Sequence, residues 1–278
     1  MAEHQFARRD AHKAEILGAR LGRLAFRVLA KHRARALQNL ELAMPEVDEA
    51  ERLKIVRGVF EHFGRVAGDF MHSPVRTAEE TIQSIEVEEN PAWREAQALG
   101  KGIIAVTGHF GNWERLAHWV SVTGGSITVV ARDANDAGMQ ARVQRIRAKS
   151  GVEVLSRGKS TRALIRKLRE GGVIGVLPDQ NSDESYLPFF GKPAGTVLGP
   201  AKLHLMTGAP IVPTFCPRIG PVQYRLIVGE PIMASANTTA EDLMTEVNLA
   251  LEKVVRQYPD QWLWIHDRWK SARRKGLL

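Results

Sequence analysis

A chain of 278 residues with 44% hydrophobic and 25% charged content has enough apolar material for a core of one or two domains. Its single cysteine, Cys216, excludes an internal disulfide framework and any multi-cysteine zinc site, and suits a reducing compartment. The formal net charge of +8 points to an anionic partner, whether a lipid headgroup, a nucleic acid or an acidic protein.

In chain order, the N-terminal region through about residue 75 reads as helices. Within GARLGRLAFRVLAKHR and the residue before it, Leu17, Leu21, Leu24 and Val28 fall on one helical stripe, with Arg20, Arg23, Arg27 and Lys31 beside it. Two readings fit the pattern: a helix lying in a membrane interface with arginines reaching for phosphates, or a surface helix packed on the core. A further helical stretch around residues 48 to 70 completes an N-terminal helical cap.

From about residue 84 short β-branched runs alternate with helical stretches. IEVEE, GIIAVTG, SITVVA, VEVLS, GVIGVLP, APIVPTF and YRLIVGE read as strands. The alternation predicts an α/β core over residues 84–270, a mostly parallel central sheet flanked by helices, forming a single unit with the cap. The longest stretch without Asp, Glu, Lys or Arg runs from Leu116 to Ala131 and is interrupted by Ser121, Thr123, Gly124, Gly125 and Ser126. It falls short of the roughly 20 apolar residues a membrane span needs. Nor does the chain show an apolar signal-peptide core followed by a small-residue cleavage site.

Active sites in such folds lie beyond the carboxyl ends of strands, and TGHFGNWE at 107–114 follows the strand GIIAV directly. His109 and Glu114 are five positions apart and would not meet on one helix, so a partnership requires the chain to change course between them. A turn through Gly108 to Gly111, with Asn112 as N-cap and Glu114 in the first helical turn, would bring them together. The carboxylate would then fix one imidazole nitrogen as a donor and leave the other free to take a proton from a hydroxyl.

An internal nucleophile is hard to find. No G-x-S-x-G elbow occurs, Ser156 to Lys159 matches S-x-x-K without its companion motifs, and RGKS at 157–160 lacks the glycine spacing of a phosphate loop. Glu114 and His118 stand one helical turn apart near His109, but the order is not H-E-x-x-H, and the expectation is no metal. Nucleic-acid binding has no support beyond charge, with aromatics at only 6% and no recognised binding motif.

GHFGNWE resembles the H-x-x-x-x-D/E box of the bacterial late acyltransferases of lipid A biosynthesis, a branch of the lysophospholipid acyltransferase superfamily. ALQNLELAMPE at 36–46, LPDQN at 177–181, LPFFGKPAGTVLGPAKL at 187–203 and QWLWIHDRW at 261–269 are similar, in order, to the family's other blocks. The resemblance implies an O-acyltransferase moving a fatty acyl chain from a thioester of acyl carrier protein or CoA to a hydroxyl of a lipid A precursor or related glycolipid. His109 would be the base, Glu114 its partner, and no cofactor beyond the acyl co-substrate is expected. It further implies substrate-side roles for Arg147 and Asp179, with Asn112 beside them. Lysophospholipid or phosphatidylinositol mannoside acylation, and a non-enzymatic basic membrane-binding protein, are the alternatives.

Helical geometry sets Arg147 apart from Arg142, Arg145 and Lys149 when Met139, Val143 and Ile146 define the apolar stripe. A phosphate or thioester-side charge, or an ion pair with Asp179, would account for it. Lys159, Arg162, Arg166 and Arg169 form a second basic face, either solvated or receptive to an acidic carrier protein or a membrane. Trp262, Trp264 and His266 alternate like strand residues that close the core. Family members in this resemblance begin with an apolar anchor helix, whereas this chain begins MAEHQFARRDAHKAE, so peripheral attachment at the cytoplasmic face of the inner membrane is expected.

Overall fold

The structure, a computed structural model, describes residues 10–88, 90–131, 136–156 and 161–278. The RGKS segment with Lys159, and the side chains of Met139 and Ser156, lie outside the described residues. Three helices form the cap: α1 (Ala11–Val28), α2 (Ala30–Ala43) and α3 (Glu49–His72). Asp10 and Asp48 cap α1 and α3 by accepting from the amides of Lys13 and Glu51, each at 2.8 Å.

The face that α1 buries is not its leucine stripe. Ala14, Glu15, Gly18, Ala19 and Gly22 are buried, whereas Leu21, Leu24 and Val28 are 51%, 53% and 65% exposed. Glycine spacing gives the reason. Gly18 and Gly22 on α1 face Gly64 and Gly68 on α3 so closely that a Cβ on Gly18 would overlap the Gly64 carbonyl, and one on Gly64 the Gly18 carbonyl. Backbone packs on backbone, as in small-xxx-small crossings, and Leu21, Leu24 and Val28 are turned outward with Arg20 and Arg27 beside them, while Phe26 packs on Phe60 of α3. α1 is thus a surface helix packed on α3 through its small-residue face.

The chain continues through α4 (Ala78–Gln83) into a sheet that has, among the described residues, eight strands in the order β1-β10-β8-β2-β5-β3-β4, with β9 on β10. These are β1 (Ile85–Val87), β2 (Ile103–Val106), β3 (Ile127–Ala131), β4 (Glu153–Ser156), β5 (Val173–Val176), β8 (Ile211–Phe215), β9 (Arg218–Gly220) and β10 (Gln223–Val228). The centre is parallel, and β10 pairs antiparallel with β8 and β9. The chain is thus α/β with a mostly parallel sheet and an N-terminal helical cap, as its alternating pattern predicts.

A separate hairpin, β6 (Ser185–Phe189) and β7 (Lys192–Thr196), was not among the predicted strands. Pro188 and Pro193 face each other across it, and proline in a run argues against a strand unless, as here, the pair stands outside the main sheet.

Alternation along the strands divides the core. Ile103, Ile127 and Val173 pack under α5 (Pro91–Ala98) and α6 (Trp113–Val122), whereas Ile104, Val106 and Ile174 face α8 (Thr161–Arg169), α9 (Gly199–Thr207) and α10 (Ala240–Gln257). α7 (Ala137–Lys149) leads into β4, and α11 (Lys270–Arg274) ends the fold.

Two buried carboxylates join the cap to the α/β core, Glu15 at the sheet and Asp69 at the start of α6. Glu15 accepts from Tyr224 Oη at 2.6 Å, from Arg218 Nη2 at 3.1 Å and from the Val222 amide at 3.2 Å. Asp69 accepts from Asn112 Nδ2 at 2.8 Å and pairs with Arg76 and Arg115. Burial alone would raise the Asp69 pKa, but the Arg115 and Arg76 charges outweigh it and hold the group at about 2.

Gly64→Ala places a methyl group against the Gly18 carbonyl, so it should destabilise the protein by about 1–3 kcal/mol in chemical denaturation. The sign is the test, because the same exchange at an unobstructed helical position stabilises by roughly 1 kcal/mol.

Candidate active site

β2 ends at Val106, and the next six residues turn over the carboxyl edge of the sheet. The Thr107 amide still bonds to the Val176 carbonyl at 3.0 Å, extending the pairing with β5. Beyond it the His109 carbonyl accepts from Leu263, Gly111 donates to Gln261 and Asn112 to Cys216. Gly111 has φ of 56° and lies so near the Cys216 carbonyl that a Cβ would collide with it. At Gly108 a Cβ would stand 3.1 Å from Asp179 Oδ2, which must pass there to reach the His109 backbone.

Asn112 caps α6, as its position predicts, accepting from the Arg115 amide at 3.0 Å. It is fully buried and its amide nitrogen is given to Asp69, so the expected substrate-side place for Asn112 is corrected: it is a structural joint below the turn.

The carboxylate bonded to the His109 ring belongs to Asp179, in the LPDQN turn after β5. Nδ1 of His109 lies 2.8 Å from Asp179 Oδ1, the His109 amide donates to Oδ2 at 2.7 Å, and Trp262 Nε1 donates to Oδ2 at 3.0 Å. An ionised carboxylate can only accept, so Nδ1 carries the proton and Nε2 presents a lone pair. The Gln180 side-chain amide stands 3.5 Å from Nε2. Burial lowers the histidine's pKa, but the charge and hydrogen bond of Asp179, with Glu114 behind, raise it above the ordinary imidazole value. Asp179, whose burial acts upward, is held at about 2 by the His109 charge and its hydrogen bonds.

Glu114 makes a different bond from the one its spacing suggests. It takes both Arg147 Nε at 3.1 Å and Nη2 at 2.5 Å, and Trp113 Nε1 at 3.1 Å, with no hydrogen bond to His109 among the described contacts. Arg147 accordingly pairs with Glu114 rather than Asp179. Burial lowers the Arg147 pKa, and the Glu114 hydrogen bonds and charge raise it on balance. His118 is buried on the far side of α6 near Thr81, and no cluster of three or more metal-ligating side chains occurs among the described residues.

These groups border a cavity of about 860 Å³ whose walls include His109, Glu114, Arg147 and Gln180 together with Ala105, Val129 and Gly175. Thr107, Gln180 and Trp262 are the site residues that sequence reasoning missed. Trp262 stood in the QWLWIHDRW block, but it forms only an isolated bridge with Phe110 and lies in no strand. Trp262 and Trp264 are buried in the core, 1% and 0% exposed.

The site thus combines a histidine oriented to accept a proton with a largely apolar cavity that has room for a hydrocarbon chain. The chain belongs to the bacterial lipid A biosynthesis acyltransferase family, whose model matches residues 11–271. It is 31% identical to the lipid A biosynthesis lauroyltransferase of Escherichia coli (strain K12), over 92% of this chain and 84% of that protein. The palmitoleoyltransferase of the same organism is 26% identical over the same shares. A phosphatidylinositol mannoside acyltransferase of Mycobacterium tuberculosis (strain CDC 1551 / Oshkosh) is 31% identical, over 44% of this chain and 40% of that protein.

The turn also rests on His62, whose Nε2 donates to the Gly111 carbonyl at 3.0 Å. Burial pushes the His62 pKa from 6.5 to about 4 against the opposing effect of that bond. A depressed histidine contributes stability that is present above 6.5 and lost as pH falls toward 4. His62→Gln keeps an N–H for the carbonyl and cannot titrate, so denaturation midpoints measured across that window should fall less steeply than in the wild type.

Proposed function

We propose that this acyltransferase moves a fatty acyl chain from an acyl thioester to a hydroxyl of a lipid A precursor or related glycolipid, with His109 as general base and Asp179 as the group that orients it. One observation carries the reading: His109 Nδ1 is bonded to buried Asp179, which leaves Nε2 free, and His109 lines the large cavity. The base takes the proton of the acceptor hydroxyl as its oxygen attacks the thioester carbonyl carbon. The C–S bond then breaks, and the imidazolium returns the proton to the departing thiolate. Direct transfer requires no covalent enzyme intermediate, which accords with the lack of a recognisable nucleophile motif.

Lipid A as acceptor is supported by matches over 92% of the chain, against 44% for the mannoside acyltransferase. The apolar stripe of α1 with Arg20 and Arg27 supports peripheral binding to an anionic leaflet, placed by this reading at the cytoplasmic face of the inner membrane. No described helix is long and apolar enough to cross a membrane. Arg162, Arg166 and Arg169 are exposed on α8, whose Thr161 and Leu164 border the cavity, and would offer a face to an acidic acyl carrier protein; CoA is the other donor.

His109→Ala should abolish transfer, read by mass spectrometry of the acceptor lipid, and should lower thermal stability, because it takes one of three donors from the buried Asp179 carboxylate. Asp179→Asn removes the charge that selects the tautomer, and turnover should fall by about 10³-fold or more. Glu114→Gln should cost less turnover, because it weakens the Arg147 pair rather than the ring contact. Since Asp179 and Glu114 both raise the His109 pKa, the acidic limb of the pH–rate profile should move to lower pH in either variant, and further for Asp179→Asn. Equal shifts, or a larger one for Glu114→Gln, would reverse the assignment.

Arg20→Gln with Arg27→Gln should weaken binding to anionic vesicles by about 1 kcal/mol per charge. Cosedimentation that neither the substitutions nor salt alter would show that α1 does not face the lipid.

A further inference from the structure

We propose that Thr107 is a further catalytic residue, its hydroxyl donating a hydrogen bond to the thioester carbonyl oxygen as negative charge develops there. The proposal rests on the acyl-transfer reading above and adds a group to which nothing in that reading gives a role.

Strand direction places this side chain. Ile103 and Ala105 point to the face covered by α6, and the hydrogen bond from Thr107 to Val176 continues the pairing, so Thr107 follows Ala105 on that face. Below it the wall opens. Ala105 pairs in register with Gly175, which pairs with Val129, so the smallest side chains of the central sheet make a depression under α6. Ala117 of α6 faces it across the cavity. Below that layer Ile103 and Val173 are buried again and do not line the cavity. An acyl chain lying in this depression with its carbonyl beside His109 must pass Thr107.

The hydroxyl is also free. Thr107 is 9% exposed, and its Oγ1 is buried with no hydrogen-bond partner. Among the described residues it is the single buried, unpartnered polar side-chain atom on the wall of this cavity. The other threonine in the depression, Thr214, donates to the Val212 carbonyl at 3.1 Å. Of the remaining donors near His109, Arg147 is held by Glu114, and Gln180 is exposed at the mouth facing Nε2. A buried hydroxyl is destabilising without a partner, and a developing oxyanion is the partner this site would supply.

The electron count is simple. Attack by the acceptor oxygen moves the carbonyl π pair onto oxygen, where Thr107 stabilises it without giving up its proton. Collapse restores the C=O bond and expels the thiolate, which takes the proton held by His109.

The test compares Thr107→Val, which keeps the shape and lacks the hydroxyl, with Thr107→Ser, which keeps the hydroxyl. Loss of one oxyanion donor should lower kcat by about 10²-fold in the valine variant, with KM within a few-fold of wild type and serine retaining most of the rate. The melting temperature of Thr107→Val should be equal or higher, since no bond in the resting protein is lost. A second measurement does not depend on turnover: dodecanoyl-CoA isotopically labelled at the carbonyl is bound to His109→Ala protein and its C=O stretch recorded. Adding Thr107→Val should raise that frequency by removing the hydrogen bond. Wild-type kcat in Thr107→Val, an unchanged carbonyl frequency, or a lowered melting temperature would each overturn the assignment while leaving His109 as base. Acyl transfer retained in His109→Ala would instead overturn His109 as the base, and no transfer to the acceptor lipid by the wild-type protein from either dodecanoyl-CoA or dodecanoyl-acyl carrier protein would overturn the acyl-transfer reading and Thr107 with it.

Discussion

The Asp179 carboxylate is the point on which the site depends. It is 3% exposed and accepts three N–H groups, from the His109 backbone, the His109 ring and the Trp262 indole. Each donor comes from a segment distant in sequence, and a buried carboxylate left short of any of them would be strongly unfavourable. The turn after β5, the turn after β2 and the C-terminal segment are therefore fixed together. Gly108 is part of the same constraint, since a side chain there would crowd Oδ2.

The rest of the fold secures the Asp179 turn from behind. Arg268 is fully buried and donates to the carbonyls of Gln180 and Gly195, and the Asn181 amide donates to His266 Nε2 at 3.0 Å. His266 is steadied in turn by Asn39 of α2, whose Nδ2 donates to the Trp264 and His266 carbonyls at 2.8 Å each. The N-terminal cap thus supports the Asp179 turn through Asn39, as His62 and Asp69 support the turn after β2, and the glycine crossing and Glu15 keep that cap seated. This chain of contacts gives a physical reason for polar residues in otherwise apolar blocks: Asn39 in ALQNLELAMPE, and His266 and Arg268 in QWLWIHDRW.

Much of this was legible in sequence. The strands of the main sheet apart from the short β9 announced themselves as β-branched runs, and TGHFGNWE gave its turn and its N-cap, because glycine, asparagine and strand periodicity are local signals. What failed was pairing across the chain. Nothing local distinguishes Glu114, five residues from His109, from Asp179, seventy residues away, since which carboxylate reaches the ring depends on β2 and β5 lying side by side. The leucine stripe of α1 failed for a related reason. Hydrophobic periodicity identifies the apolar face, but close backbone packing at Gly18 and Gly22 decided which face was buried. The hairpin of β6 and β7 was hidden by its prolines, and Thr107 by its ordinariness, because an unpartnered hydroxyl is visible only once its neighbours are placed.

The spacing of His109 and Glu114 still has a physical meaning, though not the one the motif suggests. Five residues place the histidine before the N-cap and the glutamate in the first turn of α6, where the helix dipole favours its charge. From there the carboxylate faces α7 and binds Arg147 through two nitrogens, a geometry that fixes the guanidinium as well as neutralising it. The two charges act on His109 in opposite directions, Glu114 raising its pKa and Arg147 lowering it. Burial lowers the His109 pKa and Asp179, by charge and hydrogen bond, does most to raise it, while Glu114 holds a cation at the cavity wall. In the proposed reaction this separation matters. A carboxylate bonded to the ring must stay charged to select the tautomer, whereas Glu114 reaches across to Arg147 on the cavity wall, and one side chain cannot make both contacts.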